Sequence, residues 1–175
     1  MLLETPRLVL RPLSLEDLDE FVALHAEPEV TRFVTAFDRP ESEERLRRNE
    51  VEWQERGHGL LAVLDRADGR FLGRAGFKYW PQFDETELGW ALRREAWGHG
   101  YATEAAGTLL QWAFDTLDLN RVQAEADTRN AASARVLEKL GFVREGTLRE
   151  DCVVNGEVSD SWVYGLLRRQ WRPLS

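Results

Sequence analysis

The feature that most constrains the fold is a short bulky segment followed by two glycines and a long amphipathic run. Residues 87–92 (Glu-Leu-Gly-Trp-Ala-Leu) alternate as a β-strand would, and Gly98 and Gly100 come soon after. Apolar side chains then recur at the spacing of one helix face, at Ala102, Ala105, Ala106, Leu109, Leu110, Ala113, Phe114 and Leu117. The pattern therefore predicts a strand, a glycine turn and a helix, in that order.

A turn of this kind can bind an anion. Glycines let the backbone approach a bulky anion, and the free N–H groups of the first helical turn point at it. The helix dipole contributes only about 0.3–1 kcal/mol, so several N–H groups have to act together, which suits a diphosphate. The segment is not a P-loop, because no Gly-Lys-Ser/Thr follows Gly100, and it lacks the third glycine of a dinucleotide fingerprint. A glycine-rich turn without a ligand remains the alternative at this point.

Length and composition limit the class of protein. A chain of 175 residues with 43% hydrophobic residues is expected to form one domain over residues 1–175. No stretch is apolar enough to span a bilayer, and the first 13 residues lack the core of a signal peptide. The net charge of −8 argues against a nucleic-acid partner and weakly favours cationic ones. A single cysteine, Cys152, excludes an internal disulfide framework and fits a cytoplasmic location. No Cys/His spacing indicates a metal site.

The remaining pattern predicts an α+β (mixed α/β) domain. Strands are expected at residues 7–13, 60–64, 70–79, 87–93, 121–126, 142–149 and 161–167. Helices are expected at residues 15–26, 41–55, 102–117 and 131–140. This gives about seven strands in a mixed, mostly antiparallel sheet with about four helices, and the segment 87–126 is expected to be a parallel crossover. Phe33 lies in the loop of residues 27–40, where it either packs down or lines a pocket.

Two segments resemble the GNAT acyltransferase superfamily: Trp97-Gly-His-Gly-Tyr-Ala-Thr-Glu-Ala105 and Asn130-Ala-Ala-Ser-Ala-Arg-Val-Leu-Glu-Lys-Leu-Gly-Phe142. The amino-terminal Glu4-Thr-Pro-Arg-Leu-Val-Leu-Arg11 and the Asn155-Gly156 turn are similar to its RimJ/RimL-type branch, the ribosomal-protein N-acetyltransferase-like proteins. The resemblance covers nearly the whole chain. It implies the GNAT-like fold with splayed fourth and fifth strands, acetyl-CoA as acyl donor and an amine as acceptor.

The resemblance also implies where the donor binds. By position, the N–H groups from Gly98 to Thr103 hold the pyrophosphate, and backbone groups of residues 91–93 pair with the pantetheine arm as a further strand would. Asn130 and Ser133 face the donor from the start of the next helix. The expected donor-binding residues are therefore Ala91, Leu92, Arg93, Gly98, His99, Gly100, Tyr101, Ala102, Thr103, Asn130 and Ser133.

The chain departs from the family pattern at two positions. Glu95 stands where Gln or Arg is frequent, and it is expected to point to solvent because a carboxylate facing phosphates would repel them. Leu137 stands where many members have a Tyr that protonates the leaving thiolate. Leu cannot donate a proton, so Ser133 or a water has that role if any group does.

Glu87 is the candidate base that takes the proton of the amine, acting through water. An equally weighted alternative is a solvated carboxylate at a strand end, and Glu150 and Asp151 are weaker candidates. Trp80 and Trp90 are expected to wall the acceptor site. Substrate-binding residues are thus predicted at Phe33, Trp80 and Trp90, whereas His25, His58 and Cys152 are expected to be packing or surface residues.

The resemblance implies an acetyl-CoA-dependent N-acetyltransferase that transfers the acetyl group directly to a primary amine, with a protein N-terminal α-amine as one acceptor. The alternatives are a small-molecule amine such as a polyamine, amino acid or antibiotic, and a catalytically silent acyl-CoA-binding protein. The sequence leaves a monomer and a homodimer open.

Overall fold

The computed structural model describes residues 1–174, in which eight strands form one sheet flanked by four α-helices. The strands are β1 (Leu3–Glu4), β2 (Leu8–Pro12), β3 (Leu60–Asp65), β4 (Phe71–Trp80), β5 (Glu85–Leu92), β6 (Arg121–Asp127), β7 (Val143–Val154) and β8 (Glu157–Leu167). The helices are α1 (Leu18–Leu24), α2 (Arg39–Arg56), α3 (Tyr101–Asp115) and α4 (Ala131–Lys139). None of the helices in the described part of the chain has an apolar stretch long enough to cross a bilayer.

The strand order is β1-β2-β3-β4-β5-β6-β8-β7, and every neighbouring pair is antiparallel except β5 and β6. The parallel pair is held at a single register position, Glu87 opposite Gln123, whereas β4 and β5 pair at eight positions. The two strands therefore diverge beyond Glu87, as the resemblance implied. A cleft opens between them, and α3 makes the connection.

The helices cover both faces of the sheet, and the alternation of strand side chains decides which residues they bury. Leu61 and Val63 of β3 join the larger core beneath α3 and α4, while Ala62 between them joins the core beneath α1 and α2. On β5, Leu88 packs into the larger core and Ala91 into the smaller one. Glu87 has the opposite parity to Leu88, so it lies on the α1–α2 face.

The predicted elements are confirmed with three differences. The sheet has eight strands, because the two-residue strand β1 pairs with β2. The helix predicted for residues 15–26 begins as a 3-10 turn at Leu15–Asp17 and ends at Leu24. The last two strands are longer than predicted, because β7 and β8 continue as one hairpin to the Asn155-Gly156 turn. Irregular register in β7 between Leu148 and Cys152 obscures the alternation that would have revealed this length.

Candidate active site

The turn before α3 has the backbone conformation that its glycines predict. Gly98 and Gly100 both have φ of 78°, a left-handed conformation that other residues adopt with strain. Gly100 is the N-cap of α3 and no side chain caps the helix. Within residues 1–174, the N–H groups of Tyr101, Ala102 and Thr103 have no acceptor, and the first helical bond runs from Glu104 N to Gly100 O. Three donors therefore converge on the space in front of the turn.

Arg7 and Thr5 hold this turn against the start of β2. The Arg7 guanidinium donates to the His99 carbonyl at 2.8 Å and pairs with Glu104 at 2.6 Å, and the Thr5 hydroxyl donates to Glu104 at 2.5 Å. These bonds lower the pKa of Glu104 despite its partial burial. The carboxylate in the first turn of α3 is thus already neutralised by Arg7 and does not oppose an anion there. This contact gives a structural reason for the amino-terminal motif.

A cavity of about 260 Å³, here called the donor cleft, lies between β5, α3, α4 and the α1–α2 loop. Seven of the residues predicted to bind the donor line it: Ala91, Leu92, Gly100, Ala102, Thr103, Asn130 and Ser133. Gly98, His99, Tyr101 and Arg93 lie outside its lining. The His99 ring packs against Tyr101 at 5.7 Å, so the turn contributes backbone groups while its two rings pack beside each other.

The expectation for the backbone of Arg93 has to be corrected. Its N–H donates to the Leu72 carbonyl of β4 at 2.8 Å, and its side chain pairs with Glu20 and Glu27. The chain has turned back to β4 at this point, so the Arg93 amide is not free to pair with a ligand. The neighbouring Leu92 carbonyl accepts from the Trp97 indole at 2.8 Å. These bonds engage the Arg93 N–H and the Leu92 carbonyl at this end of β5.

On α4 the cleft is lined by Ala132, Ser133 and Val136, and Asn130 lines it from the position before the helix. Asn130 caps the helix, since its Oδ1 accepts from the Ser133 N–H at 3.1 Å. Leu137 points the other way and is 1% exposed in the larger core. A residue at position 137 is thus part of the core in this chain, and the Ser133 hydroxyl lies on the side of the helix that faces the cleft.

A second cavity of about 580 Å³, here called the acceptor cavity, lies on the α1–α2 face of the sheet. It shares Phe33, Val34 and Trp90 with the donor cleft, so the two meet at a common wall. Trp80 and Glu87 also line it. All three side chains predicted to contact the acceptor are therefore found at this cavity, and Phe33 and Trp90 stand where it meets the cleft.

Glu87 is not a solvated strand-end carboxylate. Burial, together with the nearby Glu125 carboxylate, raises the pKa of Glu87 to about 7, against the opposing effects of the Trp80 hydrogen bond and of Lys78. The Trp80 indole N–H donates to Oε2 at 3.1 Å, and Oε1 has no partner within residues 1–174. A carboxyl with this pKa is half ionised at neutral pH, the condition that suits a general base.

The other candidate residues named from the sequence either lie outside the two cavities or have no free group to offer a substrate. Glu95 is exposed and pairs with Arg70 at 3.2 Å, so it points to solvent as predicted. Glu150 and Asp151 line neither cavity. Cys152 lines the acceptor cavity, where burial raises the pKa of its thiol and keeps it protonated. His58 is 8% exposed and packs edge-on against Phe77.

Sequence reasoning missed three residues: two that line the acceptor cavity and one that holds the α1–α2 loop next to it. Arg45 and Arg74 line the cavity, and no motif marks either of them. Asn155, noted only as a turn residue, joins the β7–β8 hairpin to the α1–α2 loop. Its side chain accepts from Ala36 N at 2.9 Å and donates to Thr31 O at 2.6 Å. This clamp ties the hairpin to the loop next to the cavity, which Val34 and Val154 line, and nothing in the local sequence predicts a contact over 119 positions.

Residues 1–174 contain no cluster of His, Cys, Asp or Glu side chains that could hold a metal ion.

The family model described as "Acetyltransferase (GNAT) domain" matches residues 7–143. The uncharacterized N-acetyltransferase p20 of Bacillus licheniformis is 31% identical, over 97% of both chains. The FsC-acetyl coenzyme A-N(2)-transacetylase of Aspergillus fumigatus is 30% identical, over 97% of this chain and 77% of its own. The ribosomal-protein-S5-alanine acetyltransferase of Vibrio fischeri is similar in fold, with a TM-score of 0.82, 22% identity and coverage of 99% of this chain and 100% of its own.

Proposed function

This chain belongs to the GNAT acetyltransferase family, and we propose that it transfers the acetyl group of acetyl-CoA directly to a primary amine held in the acceptor cavity. The observation that carries the proposal is the common wall of Phe33, Val34 and Trp90. It brings a cavity containing a carboxyl with a pKa of about 7 against a cleft that ends at a glycine turn.

The donor cleft fits acetyl-CoA on three counts. The free N–H groups of Tyr101, Ala102 and Thr103 suit the pyrophosphate, as does the positive end of α3. The edge of β5 that leaves β6 after Glu87 suits the amides of an extended pantetheine arm. The apolar cleft suits the remainder of that arm. When bound, acetyl-CoA supplies an acetyl thioester, and the residues of the chain position it and move the proton.

Glu87 takes the proton of the attacking amine. An α-amine with a pKa of about 7.8 costs about 1 kcal/mol to deprotonate at pH 7, and a lysine-like amine with a pKa of about 10.4 costs about 4.6 kcal/mol. Holding the amine against the thioester contributes roughly 7–11 kcal/mol, so positioning outweighs deprotonation. A base with a pKa near 7 is therefore sufficient, above all for an α-amine.

Ser133 is the group that assists the leaving sulfur. The amine nitrogen forms a bond to the carbonyl carbon, the carbon–sulfur bond breaks, and the electron pair leaves with the thiolate. A thiol with a pKa of about 8.5 is a tolerable leaving group, so the Ser133 hydroxyl assists without being indispensable. Leu137 takes no part, because it lies in the core.

The acceptor cavity favours a small molecule or the end of a chain over a residue on a folded surface. Phe33, Val34, Thr35 and Phe37 of the α1–α2 loop line it, and Asn155 fastens that loop to the β7–β8 hairpin. One relative, the FsC-acetyl coenzyme A-N(2)-transacetylase, is named for transfer to an N(2) nitrogen, which supports an amine of this kind as the acceptor.

The test is release of thiol from acetyl-CoA in the presence of a panel of amines, with CoA binding measured in parallel by calorimetry. Gly89→Val probes the cavity, because a Cβ at Gly89 meets nothing within 4 Å and would fill only the space above the sheet. It should raise the KM of the amine by about tenfold or more, since overfilling a packed site costs about 1–3 kcal/mol, and leave CoA affinity unchanged. Gly146→Val is the matched control, an equally open glycine on β7 that lines neither cavity. CoA binding without turnover of any amine would instead favour a silent acyl-CoA-binding protein.

A further inference from the structure

The acceptor cavity has an excess of positive charge, although the whole chain carries −8. Its charged lining consists of Arg45, Arg48, Arg74, Lys78, Glu52 and Glu87. Arg48 pairs with Glu44 at 3.4 Å, and Lys78 lies opposite Glu87 in the β4–β5 register. Within residues 1–174, neither Arg45 nor Arg74 has a carboxylate within 4.0 Å. Within the described residues neither guanidinium group therefore makes an ion pair, although the Glu41 carboxylate one turn earlier on α2 acts on Arg45 from a greater distance.

Arg74 is held in place by a neutral histidine. Its Nε donates to His25 Nε2 at 3.2 Å, and His25 Nδ1 lies 2.9 Å from the Thr35 carbonyl. Because a carbonyl only accepts, Nδ1 carries the proton and Nε2 is free to accept from Arg74. His25 is 1% exposed, and burial with the adjacent Arg74 charge lowers its pKa to about 4. The terminal nitrogens of Arg74 have no acceptor in the described chain.

Arg45 approaches the same region from α2. Its guanidinium lies 3.7 Å from the centroid of the Phe37 ring, which also packs against His25 at 4.8 Å. Burial and, to a smaller extent, the charge of Arg45 together lower the pKa of Arg74 to about 10. Two cations that repel each other in a partly desolvated cavity are destabilising unless an anion joins them.

The floor between the arginines and Glu87 carries no side chain. Gly76 and Gly89 are register partners at the middle of β4 and β5. Arg74 lies at one end of this floor, and Lys78, the partner of Glu87, lies four residues along β4, a backbone distance of about 13 Å at the usual strand rise. An extended small molecule can therefore lie over the glycines, with one end at the guanidinium groups and the other at Glu87.

We propose that the acceptor is a small amine that also carries an oxyanion, a carboxylate or a phosphate, which Arg74 and Arg45 bind while the amine lies at Glu87. The proposal rests on the proposed acetyl transfer and narrows its substrate class. His25 is a positioning residue that fixes the Arg74 guanidinium.

The experiment compares matched amines that differ only in the anion. Straight-chain ω-amino acids of increasing length are paired with their carboxamides, and 3-aminopropylphosphonate is paired with 3-aminopropanol. The kcat/KM of the anionic member of each accepted pair should exceed that of the neutral member. Arg74→Gln and Arg45→Gln should each raise the KM of the anionic amine by about 10- to 100-fold, the range for loss of a charge-assisted hydrogen bond. The KM of the paired neutral amine should rise less, so the preference for the anionic member falls, and CoA affinity should not change. Preference among the anionic amines tells carboxylate from phosphate.

Arg47→Gln is the control, because Arg47 lies on the same helix, pairs with Glu43 and does not line the cavity. Arg45 is an exposed helix residue, so its variant tests the proposal even if Arg74→Gln folds poorly. Equal use of anionic and neutral amines, with ratios unchanged in both variants, overturns the inference and leaves acetyl transfer standing. Should no amine be acetylated, the proposed function fails. Calorimetry with the same carboxylates and phosphonates then measures directly whether the arginines bind an anion. Absence of binding, or equal binding by Arg45→Gln, then overturns the inference as well.

Discussion

Replacing Glu87 with Gln should stabilise the protein increasingly as the pH rises. The folded protein keeps the Glu87 proton up to a pKa of about 7, whereas a carboxyl with the ordinary value of 4.5 in the unfolded chain releases it earlier. Between these values the unfolded state binds fewer protons, so stability falls with rising pH. The contribution of Glu87 is fully present below pH 4.5 and is lost as the pH rises through 7. Gln does not titrate and escapes this loss.

The magnitude follows from the two pKa values. Integrating the proton linkage from pH 5 to pH 8 gives a change of about 2.5 kcal/mol in the difference between variant and wild type. Urea unfolding, followed through the fluorescence of the seven tryptophans, measures this difference at pH 5, 6, 7 and 8. Glu125 also has a raised pKa and is coupled to Glu87. Comparing the Glu87→Gln/Glu125→Gln double variant with the Glu87→Gln single variant therefore separates the smaller contribution of Glu125 to this pH dependence.

The same titration should govern catalysis. With an α-amine acceptor, Glu87→Gln should reduce kcat/KM by about tenfold, because about 1 kcal/mol of deprotonation is at stake. A lysine-like amine should suffer more and recover partly at high pH. If the stability difference stays constant between pH 5 and pH 8, Glu87 ionises normally and the reasoning for a base tuned to neutral pH is refuted. A wild-type rate and pH profile in the variant would leave positioning as the whole mechanism.

Three further predictions concern the two cavities. Gly100→Asp should weaken CoA binding about hundredfold, since like charges placed together cost several kcal/mol. The control for calorimetry is Gly69→Asp, because Gly69 has a similar φ of 74° and open surroundings. Equal CoA affinities of the two variants would contradict the assignment of the pyrophosphate to this turn. Ser133→Ala should lower kcat about tenfold with CoA affinity unchanged, the low end for a proton-transfer group; full turnover in steady-state kinetics would show that the thiolate leaves unaided. Asn155→Gly allows the same left-handed backbone but removes the side-chain bonds to the α1–α2 loop. It should therefore destabilise the protein by about 1–3 kcal/mol and raise the KM of the amine. Thermal melts and proteolysis of the loop that match the wild type would contradict this prediction.

The local sequence determined the parts of the molecule that depend on near neighbours. Two glycines followed by a periodic apolar run predict the turn and α3, because left-handed φ values and helical spacing are both short-range requirements. Ser14 before the first helix and Gly57 after α2 mark their ends in the same way. The motifs around Gly98 and Asn130 indicated the family and most of the donor cleft. The sequence marks Glu87 and, through the family resemblance, Ser133 as candidates, although it leaves Glu87 evenly divided between a base and a solvated carboxylate.

Only the tertiary structure decided how these groups are surrounded. The pKa of Glu87 depends on burial, on Glu125 of β6, which the crossover connection brings next to it, and on Trp80 across the β4–β5 hairpin. His25 is an ordinary residue until packing excludes water and Thr35 fixes its tautomer. Arg74 stands out because no carboxylate of the described chain reaches it. Desolvation and the presence or lack of a partner are properties of the folded arrangement, so no pattern within a short window of sequence could contain them.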